Sequence, residues 1–475
     1  MQICTSRFAQ IDSESQRNSL CSISRVKYSF QGDLPVTAAA ILCYILAEPT
    51  LSEEPYTQQD DSSEIRPTRL SGNDNSVRPL LKGFSGVMER KKRIVLINHT
   101  GGPIIRENEL TYTEGGLAHA LSALTGLASD YDITILCPDP LGSRQIRATE
   151  YRGINVVCMG GSRWIKWMHA GGPSFCKEVN RYIKETCPDI LIGNGMLASF
   201  LLRFAPEEPV KIGIIHHLYH VSHALKVGRS SKCTMWVMGM LERGALHLIK
   251  LDRIAVISPM VRDVLTQKGF PQDKIVVVGN GVNVGDYPFS VNKTPCSLIY
   301  IGRLTELKRV SSLIESISLV RNRFPDVKLH IVGDGPKHEE VRRTIEALHL
   351  FQNVFMHGHL PEREKIELLS NSAIYVSNSV FEGFGIPLVE AMATGTVPVV
   401  SDIEGHRFVF QDDNVGYLVK STEEMATKIA DLLNSETERL RLATNGRRLV
   451  EQRWTWAKVA QRYKEGLLGN ASPSP

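Results

Sequence analysis

Nine cysteines are scattered through the 475 residues, and no two of them form a C-x-x-C pair. That absence argues against a zinc site and against a disulfide framework, and fits reduced thiols in a cytoplasmic protein. Long apolar runs are missing too. The best candidate, residues 36–47, is about a dozen residues, short of the roughly 20 that a bilayer-spanning helix needs. It follows a polar stretch with no basic residue immediately before it, which makes it a poor signal peptide. Strong charge of one sign is lacking: a formal net charge of +4 is too small to argue for a nucleic-acid partner. Periodicity is absent from residues 1–87, and residues 57–74, rich in Gln, Asp, Ser and Asn, predict disorder.

What is present reads as an ordinary globular chain. Hydrophobic residues make up 42% and charged residues 22%, and the length suits two or three domains. Met88, followed by Glu89-Arg90-Lys91-Lys92-Arg93, marks a natural domain start. Residues 88–285 carry a charge of roughly +7 while the first 87 are slightly acidic, an asymmetry that can mark a surface partner.

From there strand-like and helix-like segments alternate. β-branched runs at 94–98, 133–136, 155–157, 189–192, 211–215 and 253–258 predict strands, with helices over 117–127, 175–185 and 234–250. The pattern then restarts. Strands are expected at 298–301, 328–332, 354–356, 373–376 and 397–400, interleaved with helices from Val310, His338, Glu364, Pro387 and Glu423. Such alternation implies two doubly wound α/β domains, with a boundary near 279–289. Ligands of such sheets bind beyond the carboxyl ends of the strands, so the chemistry is expected in the cleft between the two domains.

The most informative stretch is Phe381-Glu382-Gly383-Phe384-Gly385-Ile386-Pro387-Leu388-Val389-Glu390-Ala391-Met392-Ala393. It places one glutamate in a glycine turn and another about two turns down an apolar helix. Gly383 and Gly385 let backbone N–H groups approach a ligand, and the helix N-terminus favours oxygen-rich or anionic groups. Two separated carboxylates suit a polyhydroxylated ligand, because each accepts hydrogen bonds from several hydroxyls. Gly302-Arg303-Leu304-Thr305-Glu306-Leu307-Lys308 follows a strand and offers a guanidinium and an ammonium to a pyrophosphate. Thr113-Glu114-Gly115-Gly116-Leu117 is a loop into a helix N-terminus, able to put N–H groups on a phosphate. Gly333-Asp334-Gly335-Pro336 lacks the G-x-G-x-x-G spacing and reads as a structural turn.

The run from Ser379 through Gly395 resembles the E-x7-E signature of retaining glycosyltransferases of the GT-B fold, family 4, and the resemblance extends over residues 94–468. It implies a GT-B enzyme: two Rossmann-like domains facing across a cleft, with a C-terminal helix that crosses back to the first. The chain then divides into an extension over 1–87, largely disordered or of unknown role, an acceptor domain over 88–285, a donor domain over 286–453, and a crossing helix and tail over 454–475. The resemblance carries Arg303 and Lys308 over as ligands of the donor diphosphate, Glu390 as the ribose ligand and Glu382 as a contact to the donor sugar. The backbone at Gly383, Phe384 and Gly385 also faces that sugar, and Gly115 and Gly116 approach the donor phosphate. Gly358-His359-Leu360 resembles the segment that receives the base. A histidine after the 211–215 strand is expected to contact the donor sugar; of the adjacent His216 and His217, His216 is favoured.

His216, His220 and His223 would share one face of a helix, which invites a metal reading. The family's chemistry needs no metal, and neither metal nor cofactor is expected. Two departures from the family pattern stand out. Asn378 occupies a common proline position, and the segment 401–407 is not followed by the usual acidic residue after Gly405. Arg163-Trp164-Ile165-Lys166-Trp167-Met168 mixes indoles with basic side chains, which suits an acceptor-site loop, a packed helix edge or peripheral contact with a membrane. The expected partners are a nucleotide-sugar donor and a sugar or lipid-linked acceptor in a cytoplasmic setting, with peripheral membrane contact as one reading of residues 163–168. Two further readings stay open: a sugar-nucleotide hydrolase or epimerase on the same fold, and a non-catalytic sugar-nucleotide-binding subunit.

Overall fold

The structure, a computed structural model, describes residues 90–99, 104–106, 109–111, 115–139, 146–159, 173–216, 248–411 and 414–469. Within them lie two parallel-sheet α/β layers. The first sheet contains β1 (Arg93–Asn98), β4 (Asp132–Pro138), β5 (Arg147–Tyr151), β6 (Ile154–Met159), β7 (Ile190–Asn194), β8 (Val210–Ile215), β9 (Arg253–Val256) and β10 (Ile275–Val277). Its order is β10-β9-β8-β7-β1-β4-β6-β5, parallel throughout except for β5, which runs antiparallel along β6 at one edge. A short hairpin, β2 (Ile104–Arg106) and β3 (Glu109–Thr111), follows β1. Helices α1 (Gly115–Thr125), α2 (Pro173–Thr186), α3 (Met196–Leu201) and α4 (Pro259–Gln267) accompany the strands.

The second sheet contains β11 (Ser297–Ile301), β12 (Lys328–Val332), β13 (Val354–Gly358), β14 (Ile374–Ser377), β15 (Val397–Ser401) and β16 (Tyr417–Val419), all parallel, in the order β13-β12-β11-β14-β15-β16. Numbered within the domain this is 3-2-1-4-5-6, the doubly wound order, whose direction reverses between β11 and β14. The same reversal in the first sheet lies between β1 and β7. Helices α5 (Val310–Arg321), α6 (His338–Ala347), α7 (Glu362–Asn371), α8 (Ile386–Thr394), α9 (Glu404–Phe410), α10 (Thr422–Asn434) and α11 (Glu436–Arg453) surround it. Its strands are apolar because both faces are covered: Leu298, Leu329, Ile331 and Ile374 join one core cluster, and Ile299, Tyr375 and Val400 another.

The chain crosses between the layers twice among the described residues, and the crossings lie side by side. The outgoing segment, residues 278–286, and the returning one, 454–456, are joined by Val282 N–H to Trp454 O at 2.8 Å and Trp456 N–H to Val282 O at 3.3 Å. Gly279 has φ +70°, and a Cβ there would stand 2.8 Å from the Trp454 ring, so this point favours glycine on both counts. Beyond it α12 (Trp456–Tyr463), capped by the Thr455 side chain, and the π-turn Lys464–Leu468 pack on α1: Val459, Ala460, Tyr463 and Leu467 share a core with Leu117, Leu121 and Leu124.

The six strands expected in the first domain and the five in the second are present within a residue or two at most ends, although 253–258 shortens to Arg253–Val256. Several elements carry little periodic signal and were not expected: β5, β10, β16, α3, α4, α9 and α11. The expected helix over 234–250 lies almost wholly outside the described residues, as do residues 1–87 and 161–170. No helix among the described residues is long and apolar enough to cross a membrane.

Candidate active site

The carboxyl edge of the second sheet is built around its reversal point. After β11 the chain makes a single 3-10 turn at Glu306–Lys308; after β14 it enters the Ser379–Gly385 turn. Val380 N–H donates to Leu307 O at 2.9 Å, which ties the two turns together. Lys308 Nζ consequently meets Glu382 Oε1 at 2.5 Å, with both side chains about four-fifths buried. Ser379 Oγ donates to the same carboxylate oxygen at 2.9 Å, and Ser379 is itself held by Ser377 at 3.1 Å and by Ser401 Oγ on its carbonyl. Glu382 Oε2 has no partner among the described residues. Arg303 is exposed, five residues before Lys308 on a loop fixed by Leu304 N–H to Asp334 O at 2.9 Å. The Gly333–Gly335 turn thus serves as the support of the Arg303 loop.

Gly385 begins α8 with φ +90° and ψ +62°, left-handed values that suit glycine. The helix is buried all round from Leu388 to Thr394, and so is Glu390, which is only 6% exposed. Burial of that carboxylate is offset by two donors: Tyr287 O–H at 2.9 Å, and Lys365 Nζ at 3.1 Å and 3.2 Å to its two oxygens. Tyr287 also donates to Glu362 at 3.3 Å, and Lys365 pairs with Glu362 at 2.8 Å. Burial alone would lower the Lys365 pKa, but the two carboxylates outweigh it and hold the ammonium above its ordinary value. Burial, helped by the same carboxylates, pushes the Tyr287 phenol far up, so it acts only as a donor. Three of the roughly four lone-pair directions of Glu390 are occupied, which leaves Oε2 the freer oxygen.

Phe384 is not at the surface. It is 3% exposed and packs edge-on against Trp454 at 5.2 Å, so only its backbone can face a ligand. His359 is exposed and Leu360 half-buried, just past β13 at the sheet edge; Pro361 and Glu362 link them to Tyr287.

Sequence reasoning missed His406. It lies on α9 next to Gly405, where a Cβ would come within 2.4 Å of Glu382 O, so α9 presses directly on the glutamate turn. His406 Nδ1–H donates to Ser401 O at 2.7 Å. Burial lowers its pKa despite that bond and the pull of Glu382, so the ring is neutral and Nε2 is an acceptor beside Gly385. The only signal in the sequence was a histidine five residues past the end of β15, and only the fold brings it to the Glu382 turn.

In the first domain the edge at the β1–β7 reversal holds Asn98, His99, Asn194 and His216. Asn194 Nδ2–H donates to Asn98 Oδ1 at 2.7 Å, and His216 Nε2 meets Asn194 Oδ1 at 2.7 Å, so Nε2 carries the proton. Gly116 lies against the same imidazole: a Cβ there would be 3.2 Å from His216 Cδ2 and Nε2. Thus two of the expected first-domain residues, Gly116 and His216, are brought together, and Gly115 begins the helix beside them. Asn98, His99 and Asn194 carry no motif that points to them. Burial lowers His99 to about pKa 4. His217, His220 and His223 lie outside the described residues, among which no cluster of three or more metal-ligating side chains occurs.

The two edges adjoin. Ile257, just after β9, packs into the second-domain core, and a Cβ at Gly383 would be 3.3 Å from its Cδ1. Glu404 on α9 is exposed, yet partial desolvation together with Asp263 of α4 raises its pKa. Ile257 and Asp263 of the first domain thus lie against the glutamate turn and α9 of the second, and the lysine and carboxylates at that turn form an arrangement able to hold a charged leaving group and sugar hydroxyls.

The family model of glycosyl transferases group 1 matches residues 288–449, and that of the glycosyl transferase 4-like domain matches residues 114–281. Poly(ribitol-phosphate) alpha-N-acetylglucosaminyltransferase of Staphylococcus aureus (strain COL) is 26% identical over 293 residues, 60% of this chain and 56% of that protein. Alpha-maltose-1-phosphate synthase of Mycolicibacterium smegmatis is 30% identical over 355 residues, 66% of this chain and 89% of that protein. The crystal structure of HepE from Anabaena, in complex with UDP and glucose, shares the fold at a TM-score of 0.60 and 17% identity, covering 79% of this chain and 99% of that one. The chain spans little more than half the length of the staphylococcal relative. With both α/β domains matched and a 30% identical relative covered over 89% of its length, the chain belongs to the group 1 glycosyltransferases of the GT-B fold.

Proposed function

We propose that this protein is a retaining glycosyltransferase that moves a sugar from a nucleotide-diphosphate sugar to a lipid-linked, polysaccharide or small-molecule acceptor, with no metal. The observation that carries the reading is the Lys308–Glu382 pair at the reversal point of the second sheet, with Arg303 exposed on the loop that precedes Lys308 and Oε2 the freer oxygen of Glu390. Arg303 and Lys308 bind the diphosphate and offset the charge that grows on its bridging oxygen as the glycosidic bond breaks. Glu390 accepts hydrogen bonds from the ribose hydroxyls. Glu382 Oε2 and the N–H groups of the Gly383–Gly385 turn hold the sugar, with His216, oriented by Asn194, as the first-domain contact. His359 and Leu360 flank the base.

The acceptor oxygen attacks the anomeric carbon on the face that the diphosphate leaves. Its proton passes to the departing phosphate oxygen, and configuration is retained. In this mechanism the protein orients the reactants and stabilises the leaving group, and no carboxylate is a covalent nucleophile. The relatives named for glycosyl transfer, and the UDP and glucose bound by HepE, support this class of donor and acceptor.

The test is turnover of a panel of UDP-, GDP- and ADP-sugars, with and without simple glucoside acceptors, followed by proton NMR of the new anomeric centre. Transfer with retention is expected. Donor consumption that ignores acceptor would favour a hydrolase or epimerase, and tight nucleotide binding without any turnover would favour a non-catalytic subunit. Flotation with anionic liposomes tests the membrane contact proposed for residues 163–168; no binding with or without anionic lipid would exclude it.

A further inference from the structure

Every described segment that passes between the two domains meets one side chain. His119 lies on α1, one turn beyond Gly116, and is 3% exposed. Its Nδ1 is 2.5 Å from Asn280 Oδ1, in the outgoing crossing, and its Nε2 is 2.8 Å from the Tyr463 hydroxyl, on the returning helix α12. Burial keeps the imidazole neutral, so Nδ1–H donates to Asn280 and Nε2 accepts from Tyr463 O–H. The ring stands edge-on to Trp456 at 5.6 Å and to His216 at 5.2 Å. Arg462 braces the same joint, donating to Val278 O at 2.7 Å and Arg453 O at 3.0 Å. A rotation of one domain on the other must be absorbed by the few residues of the two crossings, which include Asn280. His119 therefore feels the hinge on two of its sides and touches His216 on a third.

We infer that His119 is a positioning residue: it fixes His216 and the Gly115–Gly116 turn to the hinge, so that the first-domain half of the site is set by the angle between the domains. The consequence for turnover rests on the transferase reading above; the mechanical coupling does not.

Tyr463→Phe removes a single hydroxyl and keeps the ring, and His119→Phe removes both hydrogen bonds. His119→Gln keeps one donor and one acceptor. Steady-state kinetics with the donor that turns over, and amide hydrogen exchange of α1 in ligand-free protein, are measured on all three. Tyr463→Phe and His119→Phe are expected to lower kcat about tenfold or more while donor KM moves less than about threefold, because orientation is lost and not nucleotide binding. Exchange in the first turn of α1 should quicken in both, and His119→Gln should restore most of kcat. Folded Tyr463→Phe and His119→Phe variants with kcat within about twofold of wild type would overturn the inference. If wild-type protein turns over no nucleotide sugar, the transferase reading fails separately, and exchange then decides: unchanged protection of α1 in Tyr463→Phe overturns the coupling, and faster exchange upholds it.

Discussion

Lys308 and Glu382, 74 residues apart in the chain, form a 2.5 Å ion pair that bridges the two loops at the reversal point of the second sheet. In the ligand-free protein the glutamate thus neutralises the lysine proposed to bind the diphosphate. Glu382→Gln keeps the Ser379 hydrogen bond but releases Lys308. A part-buried pair of this kind is worth about 1 kcal/mol, so a nucleoside diphosphate should bind the variant as well as wild type or up to about fivefold more tightly. Turnover should nonetheless fall about 100-fold or more, since the sugar loses a charged contact aimed at it. Titration calorimetry and initial rates check both halves, and weakened nucleotide binding in Glu382→Gln would contradict the account.

Glu390 is tolerable in its buried helix only because Lys365 and Tyr287 hold it. Lys365→Met removes a hydrogen bond to a charged group and strands the carboxylate, at a cost of about 1.5–3 kcal/mol. Adding Glu390→Gln to that variant should recover part of the loss, because the stranded charge is gone. Denaturant titration of the two single variants and the double variant gives the coupling directly; simple additivity would show that the pair is not energetically linked.

Gly405→Ala drives a methyl group to within 2.4 Å of the Glu382 carbonyl, a contact with backbone that cannot swing aside. The glutamate turn must shift, costing about 1–3 kcal/mol. Loss of turnover should exceed the loss of nucleotide binding, because the contact falls on Glu382 itself, whereas Glu390 is held by Tyr287 and Lys365. A thermal melt and paired kinetics would show it, and an unshifted melting temperature would mean that the contact is not made.

His119 titrates near 6.5 when unfolded and is lowered to about 4 by burial, with the nearby Arg462 charge acting in the same direction. The neutral ring is favoured in the folded state, so its contribution to stability is complete above pH 6.5 and is lost progressively as pH falls toward 4. The difference corresponds to about 3 kcal/mol. His119→Phe should therefore show a shallower loss of stability between those pH values than wild type, as read from denaturant midpoints at stepped pH. Parallel curves would contradict the assignment.

Both domains were legible because parallel strands covered on both faces leave unbroken β-branched runs, such as Ile94–Ile97. Glu382, Glu390, Arg303 and Lys308 were legible because a turn after a strand holds them within short windows. Edge and short elements were not: β5 is largely exposed, and β16 has three residues. Nor were the residues that support the site, for their partners are remote. His119 finds Asn280 and Tyr463 at separations of 161 and 344 residues, and Glu390 finds Tyr287 at 103. His406 stands five residues past β15, yet nothing local says that α9 folds back onto Glu382.

The most direct test of the whole account is thermal stabilisation of the protein by nucleoside diphosphates and their sugars, with Lys308→Ala and Glu390→Ala alongside. At 100 times its dissociation constant a ligand should add about 2.7 kcal/mol of stability. The account predicts that one nucleotide series stabilises the wild type and that both variants lose the effect. A folded wild type that no nucleotide stabilises, or variants stabilised as fully as wild type, would contradict it.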